Sequence, residues 1–448
     1  MNSESEFKET EIGMIPKEWE ISSIGAKIDL LTDYHANGSY KKLKENVSLK
    51  DEPDHAIMVR TTNFEKKDFS HNLKYIDKHA YNFLKKSKVF PDDILMNKIA
   101  NAGSVYIMPD LGKPVSLAMN LFMLRMKKSV NQRFVFYYLK NHETYLKSFC
   151  QGTAAKTITK DNVRSFPLIL PSFTEQNIIS DILFNLDKKI ELNHKMNQTL
   201  EKIGQNIFKK WFVHFEFPNE EENPYKSNGG EMIDSKLGNI PQCWKIEKLE
   251  NYVNTIKGCS YKSADLNESK NALVTLKSIG RDGVFKKNGF KEYSGNFKED
   301  QLIVDGDVVI AQTDLTQKAE VLGKPVIVRS VPQYKKLIAS LDLVIVRPKS
   351  EYLNKEFIYE ILKTKTFHSH AVSYANGTTV LHLSKDAVPE YKIAIPPKSI
   401  IDDFGRIMGP IFEKININNL ESENLTQIRD SILPKLMSGK IRVPLEEK

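Results

Sequence analysis

Ile12-Gly13-Met14-Ile15-Pro16-Lys17-Glu18-Trp19 returns later in the chain as Leu237-Gly238-Asn239-Ile240-Pro241-Gln242-Cys243-Trp244. Gly152-Thr153 returns as Gly377-Thr378 and Pro171 as Pro396, each 225 positions further on. A long tandem duplication in one register predicts two copies of one unit, and so two similar sites.

Composition bounds the rest. At 448 residues the chain exceeds one compact core, and the duplication selects two large units. Hydrophobic content of 40% and charged content of 27% describe an ordinary globular protein. No apolar run approaches the roughly 20 residues of a membrane span. The start, Met1-Asn2-Ser3-Glu4-Ser5-Glu6, has neither the basic nor the apolar stretch of a signal peptide, so a cytoplasmic protein is expected. Cys150, Cys243 and Cys259 form no C-x-x-C pair, which argues against a zinc site or a disulfide framework. Lys plus Arg outnumber Asp plus Glu by 65 to 57, a net charge of +8. That excess suits a polyanion partner, although most surface lysines simply face solvent.

Each copy is expected to be a mixed α/β (α+β) globule followed by one long helix. Strand-like runs in the first include 56–59, 93–96, 104–108 and 121–124, with a helix from Gln132 to Leu146. Matching runs in the second are 302–304, 307–311, 325–328 and 341–346, with a helix from about Lys355 to Lys365. After Pro171 the period changes: Met196, Leu200, Ile203, Ile207 and Trp211 are spaced by four, three, four and four. Leu425, Ile428, Ile432 and Leu436 repeat the last four of these, and Ile190 and Ile415 extend the pattern upstream. This predicts a coiled-coil seam between two long helices packed on each other, the alternative being that each packs on another subunit; Asn193 and Asn418 lie on or beside the seam, either setting register or simply exposed. About 41 residues of helix would span about 60 Å, too long for one small globule to cover. Pro434 is expected to kink or end the second helix, and Gly204 to soften packing of the first. Residues 216–235 read as an acidic, then Pro/Gly/Asn-rich linker, and 441–448 as a tail.

Catalytic motifs are missing or incomplete. Asn223-Pro224-Tyr225 lacks one proline of an adenine-methyltransferase loop and follows no glycine-rich cofactor turn. Glu390-Tyr391-Lys392, with Asp386, has a nuclease-like form, but its 225-offset partners are Ser165 and Pro167, so a strand-end salt bridge is expected. There is no P-loop, and the histidines are scattered or, at His368 and His370, on different helix faces. What remains is binding surface. Arg60, Thr61, Thr62 and Asn63, then Lys98 and Asn101, follow strands of the first copy; Lys277 and Arg281, then Gln312 and Thr313, follow strands of the second. Arg forks onto guanine and Asn or Gln onto adenine in a major groove. Thr153 and Lys156, and Thr378 and Thr379, offer groups that suit phosphate. Each is also an ordinary polar loop residue.

As an ordered set, these features resemble the specificity subunit of Type I restriction–modification systems over nearly the whole chain. The set comprises the [IL]-G-x-I-P-x-x-W opening, strands starting at Asp93 and Asp307, and Gly-Thr loops leading to Leu170-Pro171 and Ile395-Pro396. The long helices and the ending Ile432-Leu433-Pro434-Lys435-Leu436-Met437-Ser438-Gly439-Lys440-Ile441 complete it. The resemblance implies target-recognition domains at 1–171 and 236–396, each reading one half of a split, asymmetric double-stranded DNA site. It implies two conserved helices, at 172–215 and 397–440, packed as an antiparallel coiled coil, that set the spacer and dock two methyltransferase subunits, with two motor–nuclease subunits joining them. S-adenosylmethionine, Mg and ATP would then belong to the partners, and this chain would be no enzyme. The competing readings are a stand-alone nuclease or methyltransferase and a duplicated scaffold that binds only protein.

Overall fold

The computed structural model describes residues 6–152, 155–281, 283, 285–329, 331 and 333–444. The chain forms two compact units, Met1–Leu192 with Glu421–Lys448, and Asn193–Leu420. The division falls inside both long helices.

The first unit holds two four-stranded sheets. One runs Lys74–Ile76, Ala56–Val59, Val115–Leu117, Lys88–Val89; the other Ile28–Asp33, Leu121–Met126, Ile94–Asn97, Val105–Ile107. The second unit repeats both orders: Lys291–Glu292, Asn271–Val274, Lys336–Ala339, Leu302–Ile303, and Val253–Lys257, Leu343–Pro348, Val308–Ala311, Pro325–Ile327. Within these four sheets only one pair per unit is parallel, with Val59 beside Leu117 and Val274 beside Ala339. The central strands Ile94–Asn97 and Val308–Ala311 are buried at every position, as the apolar runs Ile94–Met96 and Val308–Ala311 require; Asn97 is buried with them.

The repeat register is not constant inside the globules. Ile94 and Val308 occupy the same place, each opposite the fourth residue of its neighbouring strand, Leu124 and Val346, yet they lie 214 positions apart rather than 225. Insertions and deletions in loops account for the drift, while the strands keep their pairing. Asp93 and Asp307 are structural: each carboxylate is forked by a guanidinium, from Arg125 and Arg347. The single helix expected over Gln132–Leu146 is two, Gln132–Asn141 and Glu143–Ser148, broken at His142. Its counterpart is likewise divided, Lys355–Leu362 and Lys365–Ser373, because Thr364 caps a new helix by accepting from the Phe367 amide.

The repeated tryptophans anchor each core: Trp19 and Trp244 are almost fully buried. Gly439 lies so close to Pro16 that a Cβ there would meet the proline ring at 2.4 Å. The segment at 216–235 is packed: Phe217 stacks on Trp244, with ring centroids 5.4 Å apart, and on Tyr225.

The first long helix spans Phe173–Phe208 and continues as a wider π turn, Lys209–Val213; the second spans Lys398–Met437. Pro434 therefore sits in the last turn and does not end the helix. Within the second unit the two helices run antiparallel. Asn193 donates to the Asn418 carbonyl at 3.3 Å, Asn418 to Asn197 Oδ1 at 2.8 Å, and Phe208 meets Phe404. Within the first unit, Arg429 pairs with Asp187 at 2.6 Å and Glu421 with Lys189 at 3.2 Å.

The expected seam is displaced. Trp211 and Leu436 are buried, and Ile190, Leu200, Ile207, Ile415, Leu425 and Ile432 are half-buried, but Ile203 and Ile428 are 43% and 48% exposed. The inward positions of the first helix are instead Asn193, Asn197, Gly204 and Phe208, with Leu200 and Trp211 shared. Apolar residues occupy both the inner and an outer stripe, and periodicity alone cannot separate the two. Gly204 tightens the packing rather than softening it: a Cβ there would meet the Met408 methyl at 2.6 Å.

Candidate nucleic-acid interface

In the first unit the turn after Ile94–Asn97 lies beside the Gly-Thr loop, because Ile99 bridges to Thr157 and Thr157 to Gln151. Ala100 holds the turn at φ +66°, and Asn101 and Lys156 project into solvent. Lys98 is engaged elsewhere. It pairs with Asp33 at 2.7 Å, and Lys160 meets the other oxygen at 3.2 Å. Burial opposes ionisation of Asp33, but the two ammonium groups outweigh it and hold its carboxyl below the usual range.

The short helix Thr61–Glu65 reaches the same strand end through Asn97, which donates to Glu65 Oε1 at 3.3 Å. Arg60 donates to the Asn72 carbonyl at 2.7 Å. Asn63 is buried and caps its own helix, accepting from the Arg60 amide and donating to the Asp68 carbonyl. Thr61 is half-buried and Thr62 exposed. Thr153 lies outside the described residues.

The second unit brings the corresponding segments together more tightly. Thr313–Asp314 pairs with Leu381–Leu383, placing Thr313 opposite His382. Gln317 donates to the Thr378 carbonyl, Lys324 to the Arg281 carbonyl, and Arg281 pairs with Glu320 at 3.1 Å. One loop, 312–324, thus touches both flanking segments. Lys277, Arg281, Thr378 and Thr379 are exposed and Gln312 is half-buried. Thr313 is buried and donates to Asp342 at 3.0 Å, so its hydroxyl serves the loop. Sequence reasoning did not single out Leu315, Lys318 or His382, all exposed on this surface; their neighbours in space are distant in the chain.

The nuclease-like Glu390 forms a salt bridge with Lys248 at 2.8 Å, at the end of the Lys245–Lys248 and Lys392–Ile395 strand pair. Among the described residues no group of three or more His, Cys, Asp or Glu side chains is placed to hold a metal. No described helix is long and apolar enough to cross a membrane.

Residues 16–202 match the family model described as the Type I restriction modification DNA specificity domain. That stretch of the chain is similar to the Type I specificity domain. It is 26% identical over 460 residues to the Type I restriction enzyme MjaIX specificity subunit of Methanocaldococcus jannaschii, covering 98% of this chain and 97% of the relative. It is 27% identical over 419 residues to the HindI specificity subunit of Haemophilus influenzae, covering 83% and 90%. The fold is shared with the Type I system S subunit of M. genitalium, at a TM-score of 0.58 and 15% identity, over 94% of this chain and 96% of that one. The two loop surfaces sit on equivalent strand ends and differ in the side chains they present.

Proposed function

We propose that this chain is the sequence-specific DNA-recognition subunit of a Type I restriction–modification complex. Its target-recognition domains are residues 1–171 and 236–396, each reading one half of a bipartite, asymmetric site. One observation carries the reading: a single two-sheet topology is built twice, with unlike loops at the same strand ends. A repeated scaffold places two readers, and divergent loops make the half-sites differ. Phosphate contacts come from exposed lysines and threonines such as Lys156, Thr378 and Thr379.

The helices at 172–215 and 397–440 set the spacer and dock two methyltransferase subunits; two motor–nuclease subunits join the assembly. An exposed apolar set in each unit supports two equal docking sites. Ile182, Leu192 and Ile428 in the first unit, and Ile407, Ile417 and Ile203 in the second, are repeat equivalents, all between 37 and 51% exposed. S-adenosylmethionine, ATP and Mg serve the partner subunits, and the chain contributes recognition rather than chemistry.

The test is the pattern of N6-methyladenine in the host genome with and without the gene. Methylation at one split motif should vanish while other motifs persist. If a complete set of partner genes is expressed and no motif changes, the proposal fails.

A further inference from the structure

The two recognition surfaces differ most in the loop that follows their equivalent central strands. In the first unit it runs from Asn97 to Val105; in the second it is longer, from Ala311 to Pro325. The longer loop is held in one shape. Asp314, 1% exposed, accepts from the amide and hydroxyl of Thr316 at 2.7 and 2.8 Å, and from the amides of Val321 and Leu322 at 2.6 and 3.2 Å. Ala319 and Leu322 plug the far side of the loop into the core. At its tip Leu315 stands 72% exposed, the most exposed large apolar side chain among the described residues.

A solitary exposed leucine is ordinary on a protein surface. This one is held out by a buried carboxylate and two core anchors, on a loop tied by hydrogen bonds to Thr378 and Arg281. Exposed Lys318 is three residues along the same loop. An apolar tip among cations and hydroxyls fits one feature of a major-groove floor, the C5-methyl group of thymine.

Building on the DNA-recognition reading, we propose that Leu315 is a specificity determinant that reads a thymine methyl in the half-site bound by the second unit. The fixed loop makes the contact without a cost of ordering on binding, which is what discrimination by one methyl group requires. The shorter turn of the first unit carries Asn101 near the corresponding place, so the two half-sites would differ in chemistry as well as in sequence.

The experiment uses this chain assembled with its methyltransferase partner and a duplex carrying the methylated motif. Each thymine of the motif is replaced in turn by deoxyuridine, which lacks only the methyl, and affinity is measured at fixed salt for the unmodified chain and Leu315→Ala. The expected result is a loss of about fourfold at one or two thymines with the unmodified chain, the worth of one buried methyl, and none there with Leu315→Ala. Three outcomes overturn the proposal: no deoxyuridine penalty at any thymine with the unmodified chain, the same deoxyuridine penalties in both proteins, or a uniform loss of affinity on all duplexes in Leu315→Ala. Failure of the unmodified complex to bind any duplex in a salt-dependent way would instead overturn the DNA-recognition reading beneath it. Equal melting temperatures for the two proteins exclude a folding effect.

Discussion

Replacing Arg125 by methionine should destabilise the first unit selectively. Arg125 Nε and Nη2 each reach an Asp93 oxygen at 2.6 Å, and Nη2 also donates to the Lys88 carbonyl at 2.9 Å. The Asp93 side chain is 5% exposed, with one further donor, the Phe90 amide at 2.7 Å. Removing the guanidinium strands a carboxylate out of water. Breaking a buried pair this way costs roughly 3–5 kcal/mol. Because the Arg125 side chain is 29% exposed, the lower end, about 3 kcal/mol, applies. For a unit of this size that lowers the midpoint by about 6–12 °C. Urea or thermal unfolding followed by tryptophan fluorescence separates the units, since Trp19 belongs to the first core and Trp211 and Trp244 to the second. Arg347→Met should produce the mirror effect through Asp307. Adding Asp93→Leu to Arg125→Met should recover much of the loss, because no unpaired charge remains. If the double variant is as unstable as the single one, or if Arg125→Met costs under about 1 kcal/mol, the buried-charge argument is wrong.

Three other outcomes follow from the same structure. Ile203→Asp combined with Ile428→Asp should abolish co-purification with the methyltransferase while leaving circular dichroism and melting unchanged, since both side chains face solvent; retained assembly would remove this outer stripe as a docking surface. Lys156→Ala should weaken binding to all duplexes alike and reduce the slope of log affinity against log salt by about one, and a loss confined to the target motif would reassign it to base reading. Burial, with help from Glu201 and against the pull of Lys363, pushes the Glu360 carboxyl up to about 7 from an ordinary 4.5. The folded state then holds the proton more tightly than the unfolded chain, so the second unit should lose stability as pH rises from about 4.5 to about 7. Glu360→Gln should flatten that fall in pH-dependent unfolding curves; an unchanged slope would locate the titration elsewhere.

The duplication, the mixed globules and the two long helices were legible because they rest on signals local in sequence: a repeated Pro-x-x-Trp, β-branched runs and a 3.6-residue period. The inner face of the helix pair was not. Its inward positions include Asn193, Asn197 and Gly204, which no hydrophobic pattern selects, while Ile203 and Ile428 mimic a seam from the outer side. Polar asparagines are tolerated there because they donate to each other and to carbonyls of the facing helix. Among the candidate DNA-contacting residues, which side chains are already engaged within the chain was not legible in the sequence. Lys98, Asn63 and Thr313 look free in a sequence, and only the fold reveals Asp33, Asp68 and Asp342 as their partners.

The drift in repeat register bears on how such a chain changes its target. Positions 225 apart carry the frame: Trp19 and Trp244 in the cores, Asn193 and Asn418 meeting between the helices. Where the offset falls to 214, the strands still pair residue for residue, and the difference is absorbed in loops. Loop closure grows costlier only slowly with length, so such insertions cost little stability. The frame, by contrast, tolerates little: a side chain at Gly204 or Gly439 meets Met408 or Pro16 within 2.6 Å. The loops can therefore diverge between the two copies, as they have around Asn101 and Leu315, while the strands of each unit keep their pairing. On this argument, exchanging the 312–324 loop for its counterpart at 98–104 should alter which half-site the second unit prefers without loosening the helix pair.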